Sequence, residues 1–256
     1  MCRWMAYAGE PVFVDELLFR PCHSLIEQSR RAHEAKTGVN ADGFGVGWYG
    51  ERAVPGVFRD IMPAWSDENL RALAHQVRTR LFLAHVRAST GSPTSRVNCH
   101  PFSGGRWLFV HNGQIGDFAR VRRRLEALVP DELYAERQGA TDSELVFLLM
   151  RANGLERDPV TATRTTLATI LAAMKESGAN APLRFTACFT DGETIHACRF
   201  SSDDKPPTLY CGRTEGGWLV VSEPLDTEGA RWTAVPPDHW VTLKGAGPVV
   251  EPFALH

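Results

Sequence analysis

The sequence of 256 residues has no long apolar run and no excess of charge of either sign. Its longest apolar stretches, such as LVFLLM at 145–150, are far shorter than the ~20 residues needed to cross a bilayer. No charged N-terminal region followed by an apolar segment is present, so we expect no secretory signal. The formal net charge of −2 gives no electrostatic reason to bind nucleic acid. These absences predict a cytoplasmic protein that binds neither membranes nor nucleic acid.

The chain has six scattered cysteines and is large enough to fold without disulfides. They are residues 2, 22, 99, 188, 198 and 211. No CxxC motif is present, which excludes the usual zinc knuckle and the thioredoxin-type redox pair. His85, His100 and His111 flank Cys99, but their spacing matches no common pattern of metal ligands. We therefore predict reduced thiols, no metal and no cofactor.

Apolar alternation predicts strands at both ends of the chain, and helical periodicity predicts helices between and around them. The predicted strands cover 2–9, 43–50, 80–88, 106–113, 183–190, 194–200 and 217–223, with WTAVPP and HWVTL near the end. The predicted helices cover 24–35, 66–77, 116–129, 142–153 and 159–177. Asp191-Gly192 indicates a two-residue hairpin, and Thr141 with Glu144 forms a capping box. The pattern predicts an α+β fold of helices over two mostly antiparallel sheets, in one domain spanning 1–256.

The second residue is the first candidate for chemistry, because the chain opens MCRWMAYAG. Removal of Met1 would leave Cys2 with a thiol and a free α-amine on the same carbon. An α-amine titrates near ~7.7–8.0 and a thiol near ~8.5, so the amine can accept the thiol proton. On this feature alone, an incidental thiol near the chain end is the more common explanation.

Two polar motifs follow predicted strands. In HVRAST, Arg87 either presents a planar fork to a carboxylate or makes an ordinary ion pair. In VHNGQIGD, Asn112 and Gly113 form either an ordinary N-G hairpin turn or a pair of donors for a developing oxyanion. On spacing alone, the ordinary alternative is the more frequent one in both motifs.

Two further segments carry candidate functions. In GATDSEL, Asp142 lies in the first turn of a predicted helix, where it either complements the helix dipole or holds a substrate ammonium group. The segment NADGFGVGWYG at 40–50 lacks the lysine of a phosphate-binding loop, and its glycines fall within a strand pattern. We expect this glycine segment to bring backbone close to a functional site.

The order of these motifs resembles that of the class II glutamine amidotransferases, which are N-terminal-nucleophile hydrolases. The resemblance rests on Cys2, HVRAST, NCHPF, VHNG and TDSE and spans roughly residues 1–153. MCRWMAYAG, DGFGVGWY and LVVSEPL resemble the stand-alone branch of the family. That branch includes the γ-glutamyl hydrolase of ergothioneine synthesis and the amidotransferase-type subunit of a glutathione-degrading complex. The resemblance implies a four-layer αββα sandwich.

The resemblance also implies roles for the motif residues. It assigns Cys2 as the nucleophile, with its own α-amine as the base once Met1 is removed. It assigns the Asn112 side chain and the Gly113 N–H to the oxyanion hole. The implied reaction is attack on a γ-glutamyl amide, which gives a γ-glutamyl thioester that water hydrolyses to glutamate.

The implied substrate contacts lie in two of the same motifs. Arg87, with Thr90 alongside, would bind the α-carboxylate of the substrate, and Asp142 would accept from its α-ammonium. Gly91 departs from the family pattern, since hexosephosphate-type members carry a histidine there. The residues that would contact the leaving group lie in loops such as 33–42 and 88–97.

About a hundred residues follow the motifs and are expected to complete the same sandwich, which leaves no room for a synthase domain. We therefore expect a small-molecule substrate, either glutamine or another γ-glutamyl compound. A glutaminase subunit serving a separate partner enzyme, and a catalytically silent binding protein, are the alternatives. The sequence leaves the leaving group and the oligomeric state open.

Overall fold

The computed structural model describes residues 2–34, 38–89 and 91–255. Within these ranges, thirteen strands form two sheets in which the neighbouring strands run antiparallel. Sheet A contains, from edge to edge, β11 (Trp232–Ala234), β9 (Tyr210–Arg213), β10 (Gly217–Val221), β1 (Arg3–Phe13), β4 (Arg78–Val86), β2 (Phe44–Trp48) and β3 (Gly56–Asp60). Sheet B contains β13 (Gly247–Pro252), β12 (His239–Lys244), β8 (Ile195–Ser201), β7 (Arg184–Thr190), β6 (Trp107–Gln114) and β5 (Phe102–Gly104).

The α-helices form the two outer layers. They are α1 (Val14–Leu18), α2 (Leu25–Arg30), α3 (Glu68–Gln76), α4 (Phe118–Glu126), α5 (Asp131–Tyr134), α6 (Asp142–Ala152) and α7 (Pro159–Glu176). In the part of the chain that the structure describes, no helix has the length and apolar content to span a bilayer.

Successive apolar side chains of a strand point to opposite faces of its sheet and so contribute to different cores, of which there are three within the described residues. Met5 of β1 belongs to the core between sheet A and helices α1 to α3, whereas Trp4 packs between the sheets with Val110 of β6. Phe109 of β6 points away from sheet A and stacks on Phe147 of α6, with the ring centroids 5.3 Å apart. Since successive side chains of a strand face opposite ways, these three cores give the expected αββα sandwich.

The register of sheet A brings two predicted site residues together at the ends of two central strands. Strands β1 and β4 are antiparallel neighbours in which Arg3 faces Val86. Cys2, just before β1, and Arg87, just after β4, therefore lie side by side. Cys2 lies two residues before Trp4, so its side chain is on the same face of the strand and points into the space between the sheets.

Most of the predicted elements are confirmed, with shifted ends. The helix predicted over 24–35 is wrong over 31–34, because α2 ends at Arg30 and Arg31 is extended, and residue 35 of that prediction lies outside the described residues. The hairpin at Asp191-Gly192 is confirmed, but its loop has four residues, 191–194, rather than two. Asp191 Oδ1 accepts from the N–H groups of Glu193 and Thr194, which stabilises this longer loop.

Six short elements have no predicted counterpart. They are α1, α5, β3, β5, β9 and β13. Elements of three to six residues contain too few repeats for either periodicity to register.

The capping box is confirmed at its N-cap. The Thr141 hydroxyl accepts from the Glu144 N–H at 3.1 Å, so α6 begins at Asp142. The Glu144 carboxylate does not return to the Thr141 N–H and instead accepts from the N–H groups of Gln138 and Gly139. This contact fixes the chain that leads into α6.

Candidate functional site

Cys2 lies half-buried against the end of β4. Its Sγ is 3.5 Å from both the N and the O of Ala88, which is 86 positions away in sequence. Burial raises the pKa of the Cys2 thiol, although the N–H of Ala88 partly opposes this rise. At neutral pH the thiol is therefore protonated, and a nucleophilic role requires a base.

Arg87 carries a buried positive charge with no carboxylate partner among the described residues. Only 3% of its surface is exposed. Its guanidinium donates to the Asp42 carbonyl at 3.2 Å and to the hydroxyls of Ser92 at 2.7 Å and Ser89 at 3.2 Å. A buried charge held only by neutral groups is a strong site for an anionic ligand. Thr90, predicted beside it, lies outside the described residues.

Asp142 is the first residue of α6 and carries the complementary charge. Its Oδ2 accepts from the Ile115 N–H at 2.9 Å, and its Oδ1 accepts from the Ser143 N–H at 2.8 Å. Over residues 2–34, 38–89 and 91–255, no lysine, arginine or histidine forms a salt bridge with it. The carboxylate complements the helix dipole and also remains available to a cationic group.

A cavity of about 650 Å³ lies between the loop that follows Arg87 (here called the Arg87 loop), which contributes residues 91–93, and the start of α6. Ser92 and Pro93, which contact the Arg87 guanidinium, line one wall, and Asp142 lines another. Asp142 thus lines the cavity directly, whereas the oppositely charged Arg87 guanidinium lies behind the wall formed by Ser92 and Pro93. This arrangement matches the carboxylate and ammonium groups of an amino acid.

Asn112 and Gly113 continue strand β6, so the hairpin-turn alternative is wrong. The ladder with β7, in which Asn112 faces Thr186, holds the backbone extended. Asn112 is 1% exposed, and within the described residues neither its Oδ1 nor its Nδ2 has a hydrogen-bond partner. An unmet buried amide costs about 1–3 kcal/mol, so the Asn112 side chain has hydrogen-bonding capacity that no described residue uses. At Gly113 an added Cβ would lie 2.0 Å from the Arg184 oxygen, so only glycine fits.

The glycine segment lies partly beside these residues. The Gly43 carbonyl accepts from the Arg87 N–H at 2.8 Å, as expected for backbone close to a site. Gly45 serves the packing between layers instead, because an added Cβ would lie 2.2 Å from the His100 oxygen.

The three histidines considered as metal ligands are buried but do not converge. The rings of His85 and His100 pack against each other with centroids 4.1 Å apart. Burial lowers the pKa of His85 to about 3 and that of His100 well below its usual value. His111 forms hydrogen bonds elsewhere, to Ser143 and to the Arg184 carbonyl. These contacts are those of neutral core histidines.

A different group, His23, His33 and Glu223, brings three metal-ligand side chains together within the described residues. The two imidazole rings are stacked, with centroids 4.2 Å apart and 14° between their planes, so their in-plane lone pairs run parallel rather than converging. The Glu223 carboxylate already contacts His23 Nε2 at 2.6 Å, the His33 N–H at 2.8 Å and Arg3 Nε at 2.9 Å. This geometry favours an anchor for the segment after α2, not a metal site.

Sequence reasoning missed two residues that hold the site together. Asn98 donates to the Pro93 carbonyl at 2.9 Å and accepts from the Ala140 N–H at 2.9 Å, which ties the Arg87 loop to the start of α6. Asp42 Oδ2 accepts from the Ser89 N–H at 2.7 Å. Asn98 lies in NCHPF and Asp42 in DGFGVGWY, two motifs used for the resemblance, and their positions in these motifs were the signal that could have identified them.

Comparison with known proteins agrees with this geometry. Residues 14–205 match the family of class-II glutamine amidotransferases. The chain is 34% identical over 292 residues to the probable glutamine amidotransferase DUG3 of Saccharomyces cerevisiae, covering 95% of this chain and 82% of that protein. It is 30% identical over 255 residues to the gamma-glutamyl-hercynylcysteine sulfoxide hydrolase of Mycolicibacterium smegmatis, covering 99% and 100% of the two chains.

A solved structure of a glutamine aminotransferase class-II domain protein from Silicibacter pomeroyi is similar over 99% of this chain and 100% of that one. The TM-score is 0.79 and the sequence identity is 37%. The fold, the family match and the full-length relatives confirm the resemblance seen in the motifs. The chain belongs to the class II glutamine amidotransferases and is an enzyme of that family.

Proposed function

We propose that this enzyme hydrolyses the γ-glutamyl amide bond of glutamine or of another γ-glutamyl compound and releases glutamate. One observation supports this most strongly: Asp142 lines a cavity whose opposite wall, Ser92 and Pro93, is hydrogen-bonded to the Arg87 guanidinium, and Cys2 contacts Ala88, the residue after Arg87. A γ-glutamyl group has an α-carboxylate for Arg87 and Thr90 and an α-ammonium for Asp142. With both ends held, its γ-carbonyl is directed at the thiol.

The proposed reaction uses only groups of this chain and water. Removal of Met1 frees the α-amine of Cys2, which accepts the thiol proton. The thiolate attacks the γ-carbonyl carbon, and the Asn112 amide and the Gly113 N–H donate to the developing oxyanion. Collapse breaks the C–N bond, and the leaving amine takes the proton held by the α-amine. Water then hydrolyses the γ-glutamyl thioester to glutamate and restores the thiol.

A second candidate function is a glutaminase subunit that passes ammonia to a separate enzyme. The similarity to a probable glutamine amidotransferase supports this alternative. The match to a hydrolase, which extends along both whole chains, supports hydrolysis. Both functions share the thioester and differ in the fate of the amine, so release of free glutamate and amine by the isolated chain favours hydrolysis.

The test is intact mass before and after treatment with a diazoketone analogue of glutamine, with the adduct mapped to a peptide. We expect a chain that lacks Met1 and carries one label on Cys2, and release of glutamate from a γ-glutamyl substrate. We expect Cys2→Ala to abolish both the label and glutamate release. Cys22→Ala, which removes an exposed thiol, should preserve both. A chain lacking Met1 that takes no label and releases no glutamate would contradict the proposal and favour a silent binding protein.

A further inference from the structure

His111 of strand β6 makes two side-chain hydrogen bonds, one to helix α6 and one to strand β7. Its ring is 2% exposed and lies on the helix-facing side of sheet B. Nδ1 lies 2.9 Å from the Ser143 hydroxyl, and Nε2 lies 3.3 Å from the Arg184 carbonyl oxygen. The ring therefore bridges β7 and the first turn of α6.

The partners of this ring fix its tautomer. The Arg184 carbonyl only accepts, so His111 Nε2 must carry the proton. Burial lowers the pKa of His111, which keeps the ring neutral and leaves a lone pair on Nδ1. The Ser143 hydroxyl therefore donates to Nδ1 at 2.9 Å in preference to Asp142 Oδ1, which lies 3.4 Å from it. The Ser143 backbone N–H donates to the same Asp142 oxygen at 2.8 Å.

Both ends of this bridge touch groups of the proposed site. At one end, a Cβ added to Gly113 would lie 2.4 Å from His111 Nε2, so the ring lies directly under the glycine of the oxyanion strand. At the other end, Ser143 is the residue that follows Asp142 and bonds to it. The bridge thus connects the strand that carries Asn112 and Gly113 to the helix turn that carries Asp142.

We propose that His111 is a positioning residue which, through Ser143, fixes the spacing between the oxyanion donors at 112–113 and the Asp142 carboxylate. The inference rests on the proposed function, since it assigns both groups to one bound γ-glutamyl group. The γ-carbonyl and the α-ammonium of that group are separated by a short carbon chain. Both contacts form together only when strand and helix keep one spacing, and a misplacement of ~1 Å can cost ~100-fold in rate.

Ser143→Ala tests the bridge, because it removes the hydroxyl, together with its longer 3.4 Å contact to Asp142, and keeps the N–H that holds Asp142 at 2.8 Å. With L-γ-glutamyl-p-nitroanilide we expect kcat/KM to fall on the order of 10-fold, mostly through kcat. With glutaryl-p-nitroanilide, which lacks the α-ammonium and does not need Asp142, we expect a change within about twofold. Loss of fold stability alone would instead lower both activities alike.

Two further variants complete the design. Ser143→Thr keeps the hydroxyl and is expected to restore the activity with the γ-glutamyl substrate. Thr163→Val removes a buried hydroxyl that donates to the Pro159 carbonyl within α7, away from the site, and is expected to leave both activities unchanged. Equal losses with the two substrates in Ser143→Ala, or no loss with either, would overturn the proposal.

A second measurement is independent of turnover. The side-chain amide resonance of Asn112, assigned in the 15N spectrum, is expected to move in Ser143→Ala and to stay in place in Thr163→Val. If wild-type protein lacking Met1 hydrolyses neither these two substrates nor glutamine, the proposed function fails. In that case the Asn112 resonance alone tests whether Ser143 influences the position of Asn112 through His111. An unchanged signal in Ser143→Ala would refute that influence.

Discussion

The indole N–H of Trp4 donates to the carbonyl oxygen of Thr186 at 3.3 Å, across the space between the two sheets. Thr186 faces Asn112 in the ladder of β6 and β7, and Trp4 lies two residues after Cys2. One buried hydrogen bond therefore ties the segment that carries the thiol to the strand that carries the proposed oxyanion donor. This contact between the layers lies two residues from Cys2 along the chain and directly across the ladder from Asn112.

Asn112→Ala is expected to lower kcat for glutamate release by ~100- to 1000-fold with little change in KM. Among the described residues the Asn112 amide has no hydrogen-bond partner. Under the proposed mechanism it gains one when the oxyanion forms. The measurement is steady-state glutamate release, with Asn153→Ala as the control for an asparagine after α6. A kcat within about threefold of wild type would contradict the assignment.

Arg87→Lys is expected to raise KM for a γ-glutamyl substrate by roughly 10-fold, with a smaller effect on kcat. Lysine keeps the charge but loses the fork that spans the loop oxygens and the substrate carboxylate. Arg106→Lys, at an exposed pair with Glu193, provides the matched control. Saturation curves that coincide for the wild type and Arg87→Lys would show that Arg87 does not bind the substrate.

Glu223→Ala is expected to lower the free energy of unfolding by about 3–5 kcal/mol, because it leaves the buried Arg3 charge unpaired. It also releases the N–H groups of His33 and Glu34. Glu193→Ala, which breaks an exposed pair, should cost no more than ~1 kcal/mol. Urea titration of the variants measures both values, and similar losses would refute the anchoring role of Glu223.

His196→Phe tests the pH dependence of stability. Burial among aromatic side chains lowers the pKa of His196 to about 4, below the ~6.5 of an unfolded chain. Between these values only the unfolded state takes up the proton, so stability falls as pH falls, by ~1.4 kcal/mol per pH unit. Between about pH 6 and pH 5, the free energy of unfolding of the variant should fall by ~1 kcal/mol less than that of the wild type. Urea titrations at the two pH values measure this difference. An equal fall in the free energy of unfolding of the two proteins would show that His196 does not cause this pH dependence.

Local patterns were sufficient for the long elements of the site. Alternation predicts β1, β4 and β6, and the Thr141 cap predicts the start of α6, because each depends on neighbouring residues. The Asn112-Gly113 pair shows the limit of such reasoning. Its local preference is for a turn, but the ladder with β7 and the core beneath β6 outweigh that preference and keep it extended.

The sequence by itself determined which chemical groups are present and in what order: a thiol at position 2, the Arg87 fork, the Asn112 amide and the Asp142 carboxylate. Only the tertiary structure decided that Cys2 meets Ala88 across 86 positions and that Arg3 pairs with Glu223. Such contacts depend on strand register and on the packing of layers, which are set by the whole chain at once. A local pattern records what a residue can do, whereas the fold decides which residues act together.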